Sequence, residues 1–178
     1  MTSNDPLFHL KYPIGKYNPP SVISENQIAE WIDEIETFPT RLKHVISDIT
    51  ESQLDTLYRP EGWTVRQLIH HIPDSHVNCY IRFKWALTED RTTIKPYNEA
   101  AWAVLPDTYN KPVDDSIEFL TVVHKKLTNL FRELTSEQLK RTFIHPEYGI
   151  EVPLDWNIGQ YAWHGNHHLA HIKLVINN

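Results

Sequence analysis

Trp163-His164-Gly165-Asn166-His167-His168-Leu169-Ala170-His171-Ile172 places four imidazoles within eight residues near the end of a 178-residue chain. Around it Ile158, Tyr161, Ala162, Leu169, Ile172 and Ile176 fall on one arc at helical spacing, which predicts a helix over roughly 155–176. Residues four apart on a helix are about 40° apart around the axis and about 6 Å along it, so two imidazoles at that spacing can reach one divalent ion. Measured from the centre of the apolar arc, His168 lies about 50° away and His164 about 90°, against about 110° for His171 and about 150° for His167. The pair His164 and His168 therefore turns inward, and the rival pair His167 and His171 points more toward solvent. A third ligand has to come from another segment.

Three further amphipathic segments precede this one. The first runs from about Glu25 to Asp48, capped by Ser24, with Ile28, Ile32, Ile35, Leu42 and Ile46 near helical spacing. Pro39 falls inside it and is expected to bend or split it. The second begins at Thr64, whose hydroxyl with Gln67 three residues on makes a capping-box pattern, and continues to about Leu87. The third covers about Asp114 to Leu134, with Ile117, Leu120, Val123, Leu127, Leu130 and Phe131 as its stripe. Between the second and third, Pro96, Pro106 and Pro112 punctuate a long crossover, with room for a short helix over 98–105. Short turns are expected at Ser52-Gln53-Leu54 and over 136–140. Residues 142–153 read as two short strands about a Tyr148-Gly149 turn, a small β-ribbon. Residues 1–23 are rich in proline and read as an extended arm. The expected architecture is an all-α four-helix bundle in one domain over 1–178, with long crossovers and the ribbon before the last helix.

Composition narrows the classes. With 40% hydrophobic and 22% charged residues the chain is an ordinary globular one, large enough for a real core. A net charge of −6 and no basic block argue against a nucleic-acid partner. The lone Cys79 cannot form an internal disulfide, and no secretory or membrane-spanning run is visible, so the expected compartment is the cytosol. Cys79 and the tryptophans Trp63, Trp85, Trp102, Trp156 and Trp163 read as core residues, with Tyr97 and Trp102 placed to line a pocket mouth. His124 and His145 read as ordinary core or surface histidines.

The third ligand is sought in Gly62-Trp63-Thr64-Val65-Arg66-Gln67-Leu68-Ile69-His70-His71 and just beyond. On that helix the apolar arc through Val65, Leu68, Ile72, Cys79, Phe83 and Ala86 turns His76 inward, leaves His71 at the boundary and points His70 away, toward solvent or an interface. Pro73 disturbs the phase between them. The wheel by itself favours His76.

Several motifs together resemble the YfiT family of the DinB-like superfamily: Tyr-Pro-Ile-Gly at 12–15, Gln-Leu-Asp-Thr-x-Tyr-Arg at 53–59, Gly-Trp-Thr-Val-Arg-Gln at 62–67, His-His-Ile at 70–72, Asp-Ser-His at 74–76, Tyr-Ile-Arg-Phe-Lys at 80–84 and Trp-His-x-x-His-His-x-Ala-His-Ile at 163–172. The resemblance spans nearly the whole chain. It implies a four-helix bundle, typically a homodimer, holding one divalent ion through His71, His164 and His168. It also implies metal-dependent hydrolysis of a small molecule, the activity usually assigned to the family. Some DinB-like relatives instead activate bacillithiol or a similar low-molecular-weight thiol for S-transfer at the same kind of ion, and a non-catalytic metal-binding stress protein is the third reading.

Three neutral imidazoles leave an ion with at least one open position, as in catalytic zinc sites. The donor set suits zinc, nickel or iron. Gly165 stands where the HExxH arrangement has its glutamate, so a general base must come from elsewhere. Asp74, His76, Tyr80, Arg82, Asp155 and His171 are the candidates for that role or for supporting the ligands. Asp74 is the first choice behind His71, and Arg82 or Arg66 could meet a substrate anion.

Overall fold

The computed structural model describes residues 5–147 and 149–177. In chain order the elements are α1 (Phe8–Lys11), α2 (Glu25–Val45), α3 (Glu51–Leu54), α4 (Val65–Thr88), α5 (Glu99–Trp102), α6 (Asp114–Arg132), α7 (Ser136–Leu139), β1 (Thr142–His145), β2 (Ile150–Pro153) and α8 (Leu154–Ile176). The helices start where capping chemistry puts them. Ser24 accepts from the Gln27 amide at the head of α2, and Thr64 with Gln67 closes the expected capping box on α4. Thr50 with Gln53 and Thr135 with Gln138 repeat the device on one-turn α3 and α7. Asn98 caps α5 through the Ala101 amide. Pro39 and Pro73 both lie inside continuous helices, so the split considered at Pro39 does not occur. Both prolines are buried, and packing of the surrounding turns holds the helix across the missing bond.

Helices α2, α4, α6 and α8 form the bundle, with α2 and α4 each packed against both α6 and α8. Their buried residues separate into two apolar zones. One contains Ile28, Ile32 and Ile35 of α2, Cys79, Phe83 and Ala86 of α4, Val123, Leu127 and Phe131 of α6, and Leu154, Ile158 and Ala162 of α8. The other contains Phe38 and Leu42 of α2, Val65, Leu68 and Ile72 of α4, Ile117 and Leu120 of α6, and Leu169 and Ile172 of α8. Helices α2 and α8 thus run from the first zone to the second, whereas α4 and α6 run the other way. The adjacent pairs α4/α6 and α2/α8 are parallel, so the chain leaving α4 must travel back along the bundle before α6 begins. That return is the proline-punctuated crossover, and it explains why so long a segment is needed there.

The crossover is fixed at its start by the ribbon. Strands β1 and β2 pair antiparallel with Phe143 opposite Val152, and Ile94 bridges to β1 through Ile94 N–H to Ile144 O. Gly149, at φ +62°, supplies the left-handed residue of the ribbon turn, while Tyr148 lies outside the described residues. Among the described residues no helix is long and apolar enough to cross a membrane.

Residues 5–23 depart from a plain extended arm. They include α1 and lie along α8, where Trp163 Nε1 donates to Gly15 O at 3.2 Å and the Tyr17 hydroxyl donates to Trp156 O at 3.0 Å. Gly159 makes this docking possible. A Cβ there would fall 2.7 Å from the Trp31 ring and closer still to the Tyr17 hydroxyl. Gly159→Ala is expected to destabilise the protein by about 1–3 kcal/mol through overpacking, although alanine is the better helix former. Urea unfolding measures this, and an unchanged or raised midpoint would contradict it.

Candidate metal centre

A band of histidines interrupts the apolar core where its two zones meet. Between Ile72 and Cys79 on α4 stands His76, with His71 just before; between Leu120 and Leu127 on α6 stands His124; between Ala162 and Leu169 on α8 stand His164 and His168. His71 comes from the last turns of α4 that belong to the second zone, opposite the middle of α8. The antiparallel contact of α4 with α8 brings the two segments together across more than ninety residues of sequence.

His71, His164 and His168 each offer a ring nitrogen, and these nitrogens lie within 4.8 Å of one another. His71 Nε2 and His164 Nε2 face each other at 3.3 Å. Two ligands each 2.0–2.1 Å from a tetrahedral ion are separated by about 3.4 Å, so this pair already has the edge length such an ion requires. The rings of His164 and His168 meet edge to face at 4.5 Å, and His71 meets His168 in the same way at 5.0 Å. Burial holds all three well toward the neutral form, with His71 lowered to about 4. Neutral imidazole is the form that binds metal.

Other histidines stand directly behind this trio. His76, favoured by the wheel as a ligand, is fully buried; its Nε2 lies 3.2 Å from His164 Nδ1 and its Nδ1 lies 2.8 Å from His124 Nε2. His124 in turn meets the Ile35 carbonyl through Nδ1. His171 Nδ1 lies 3.3 Å from His168 Nδ1, and its Nε2 lies 3.2 Å from Lys11 O.

The structure corrects three expectations here. His167 and His171 are buried, because the N-terminal arm and the α3–α4 connection cover the face that the wheel assigned to solvent: Tyr12 of the arm packs on His167, and Tyr58 of the connection stacks on His171 at 4.1 Å. His70 is also buried, with Nδ1 2.7 Å from Ser116 Oγ, since α6 packs alongside this face of α4. His124 belongs to the histidine network instead of the plain core. Its position was readable: it lies four residues after Leu120 and three before Leu127, on the apolar arc itself.

The remaining candidates separate clearly. The Asp74 carboxylate makes no hydrogen bond to a histidine among the described residues; burial and the nearby Asp107 raise its pKa to about 6. Arg66 is held by Asp55, Glu51 and the Lys111 carbonyl, a structural clamp at the start of α4. Asp155 pairs with Lys140 near the start of α8. Tyr80 lies under Lys84 and Lys126, outside the trio. Cys79 is fully buried, and burial pushes its thiol up, away from nucleophilic use.

Two cavities flank the trio, and His164 lines both. One, about 160 Å³, is walled by Arg82, Tyr97, Glu99, His145, Tyr161 and the ribbon. Arg82 Nη1 reaches Tyr161 Oη at 3.4 Å, while its Nε is buried with no hydrogen-bond partner among the described residues. The other cavity opens beside Tyr58, Trp63, His71 and His168. Glu99, in the crossover, also lines both; it keeps solvent access, yet the surrounding protein raises its carboxyl pKa. Tyr97, expected at a pocket mouth, lines the first cavity, with Trp102 packed on it at 4.6 Å. Glu99 carried no spacing signal, because only the folded crossover brings it to His164, whereas Tyr161 stands on the same helix as His164, three residues before it and on the apolar arc.

The profile of the DinB superfamily matches residues 34–172. The chain belongs to the DinB superfamily. Within it, a protein of Oceanobacillus iheyensis named "Putative metal-dependent hydrolase OB0782" is 51% identical over 162 residues, covering 91% of this chain and 93% of the relative. A Bacillus cereus protein with the same form of name is 53% identical over 163 residues, covering 92% and 93%. Among solved structures, YfiT from Bacillus subtilis superposes with a TM-score of 0.92 at 45% identity, over 95% of this chain and 97% of YfiT. YfiT is described as a probable metal-dependent hydrolase with an unusual four-helix bundle topology. In this DinB-superfamily chain the adjacent pairs α4/α6 and α2/α8 are parallel.

Proposed function

We propose that His71, His164 and His168 hold one divalent transition-metal ion and that the protein is a metal-dependent hydrolase of a small molecule. The observation that carries this is the convergence of three neutral ring nitrogens within 4.8 Å of one another, the His71–His164 pair at the length of a tetrahedral edge, next to cavities that admit a substrate. The names of the 51% and 53% identical relatives support it. Zinc or nickel fits the all-nitrogen donor set best, with iron possible on ligand type. An ion in such an open site supplies Lewis acidity and lowers the pKa of a coordinated water toward about 7.

The protein's own groups divide the remaining work. Arg82, the cation lining the first cavity, binds an anionic or strongly polar part of the substrate. Glu99 lines both cavities and is the carboxylate placed to accept a proton. Glu99→Gln is expected to lower kcat by about 10²–10⁴ with metal content unchanged, as loss of a general base does. Assay of the metal-loaded protein across esters and amides tests the function, and the absence of any metal-dependent turnover would count against it.

The cation in the cavity wall gives one specific reason to keep a second reading, transfer of a low-molecular-weight thiol of the bacillithiol type. There the thiolate sulfur would displace halide from a haloaromatic carbon, the thiol proton passing to solvent. Turnover with bacillithiol and a haloaromatic, but with no ester or amide, would select it. Location in the cytosol and assembly as a homodimer complete the proposal; the dimer is tested by sedimentation.

A further inference from the structure

The histidines behind the trio form two hydrogen-bonded chains, each ending on a backbone carbonyl. A carbonyl can only accept, so each chain has a fixed starting direction. In the first, the Ile35 carbonyl requires a proton on His124 Nδ1. Because His124 is neutral in its buried setting, with its pKa lowered to about 4, its Nε2 is bare and accepts from His76 Nδ1 at 2.8 Å. His76 Nε2 is then bare and accepts from His164 Nδ1 at 3.2 Å. What remains on His164 is a lone pair at Nε2, the atom that faces His71. In the second chain, the Lys11 carbonyl requires a proton on His171 Nε2. His171 Nδ1 therefore accepts from His168 Nδ1 at 3.3 Å, which leaves the lone pair of His168 on its Nε2.

From this geometry we infer that His124 and His76, and separately His171, are positioning residues that lock His164 and His168 in the tautomer presenting Nε2 to the metal. The inference rests on the three-histidine metal reading and adds to it what selects the ligating atom. A further detail supports the first chain. Residue 39 would normally donate its N–H to the carbonyl of residue 35, but Pro39 has none, so the Ile35 oxygen is left for His124. The proline is buried inside a helix, where its local cost is high, and its effect there is to supply the anchor of the chain. The second anchor comes from the N-terminal arm, which ties docking of residues 10–12 on α8 to the state of His168. Outer partners of metal-bound histidines act by fixing ring orientation and tautomer.

Long-range proton–nitrogen correlation spectra of histidine-labelled protein read tautomers directly. In metal-free protein at pH 7.5 the expected pattern is a proton on Nδ1 of His124, His76, His164 and His168, and on Nε2 of His171. A proton on Nε2 of His164 or His168 would overturn the inference. Zinc affinity supplies a readout through substitution. His124→Leu is expected to weaken zinc binding by about 10–100-fold, the range for lost outer partners. His124→Gln is expected to restore most of it, because its amide offers a donor for Ile35 and an acceptor for His76. Equal losses in both variants would mean that His124 acts by packing alone and would overturn the first chain. A wild-type protein that binds no zinc would instead refute the metal reading, while the tautomer pattern of the metal-free protein still decides the chains.

Discussion

His164→Ala and His168→Ala are each expected to abolish the binding of one metal ion per chain and to reduce turnover by about 10³-fold or more, since a catalytic ion contributes several kcal/mol of transition-state stabilisation. His71→Ala should do the same from the opposite helix. The informative control is His167→Ala. His167 belongs to the same sequence run and to the rival pair four residues apart, but its ring packs on Trp163 at 4.4 Å and lies outside the convergent trio. It is expected to keep the ion. Elemental analysis of the four variants separates the assignments, and full occupancy in His164→Ala would remove the basis for the proposed function.

Acid sensitivity of the metal-free protein is the second large effect. His71 and His124 have folded pKa values of about 4, His171 about 4 and His167 about 3, all lowered chiefly by burial, against 6.5 for an exposed histidine. Between pH 6.5 and about 4 the unfolded chain binds protons that the folded protein refuses, so stability is fully present above pH 6.5 and falls as the pH drops through that window. One fully buried imidazole shifted this far accounts for about 3 kcal/mol across the window. Several such groups lie in one band, so the metal-free protein is expected to unfold in mild acid, before its carboxylates titrate. Bound metal selects the folded, deprotonated state and should move the transition to lower pH. Urea unfolding at pH 8, 7, 6 and 5, with and without metal, checks both statements; a free energy of unfolding that does not change with pH in metal-free protein would contradict them.

These two effects arise from features of unequal visibility in the sequence. The four long helices and their caps were legible because Ser24, Thr64 and the apolar stripes are local signals. The ribbon was legible from its short strand pattern around Gly149. The inward pair His164 and His168 followed from the wheel on α8, whereas the choice of His71 over His76 on α4 did not, since both are buried and only depth along the bundle separates a ring facing the trio from one behind it. Burial of His167, His171 and His70 was hidden for a different reason. A helical wheel sees one helix, and these residues are covered by the N-terminal arm and by α6, segments distant in sequence. Arg66, read as a possible anion site, is consumed by ion pairs that form only when α3 folds against α4. Pro39 was expected to bend or split its helix; the helix is unbroken, and the consequence is one carbonyl free to accept from another helix.

X-ray absorption spectroscopy of the metal-loaded protein tests the convergence on one ion most directly. The arrangement predicts three imidazole nitrogens at about 2.0–2.1 Å with any remaining position filled by oxygen. A first shell with sulfur, or with fewer than three imidazoles, would contradict it.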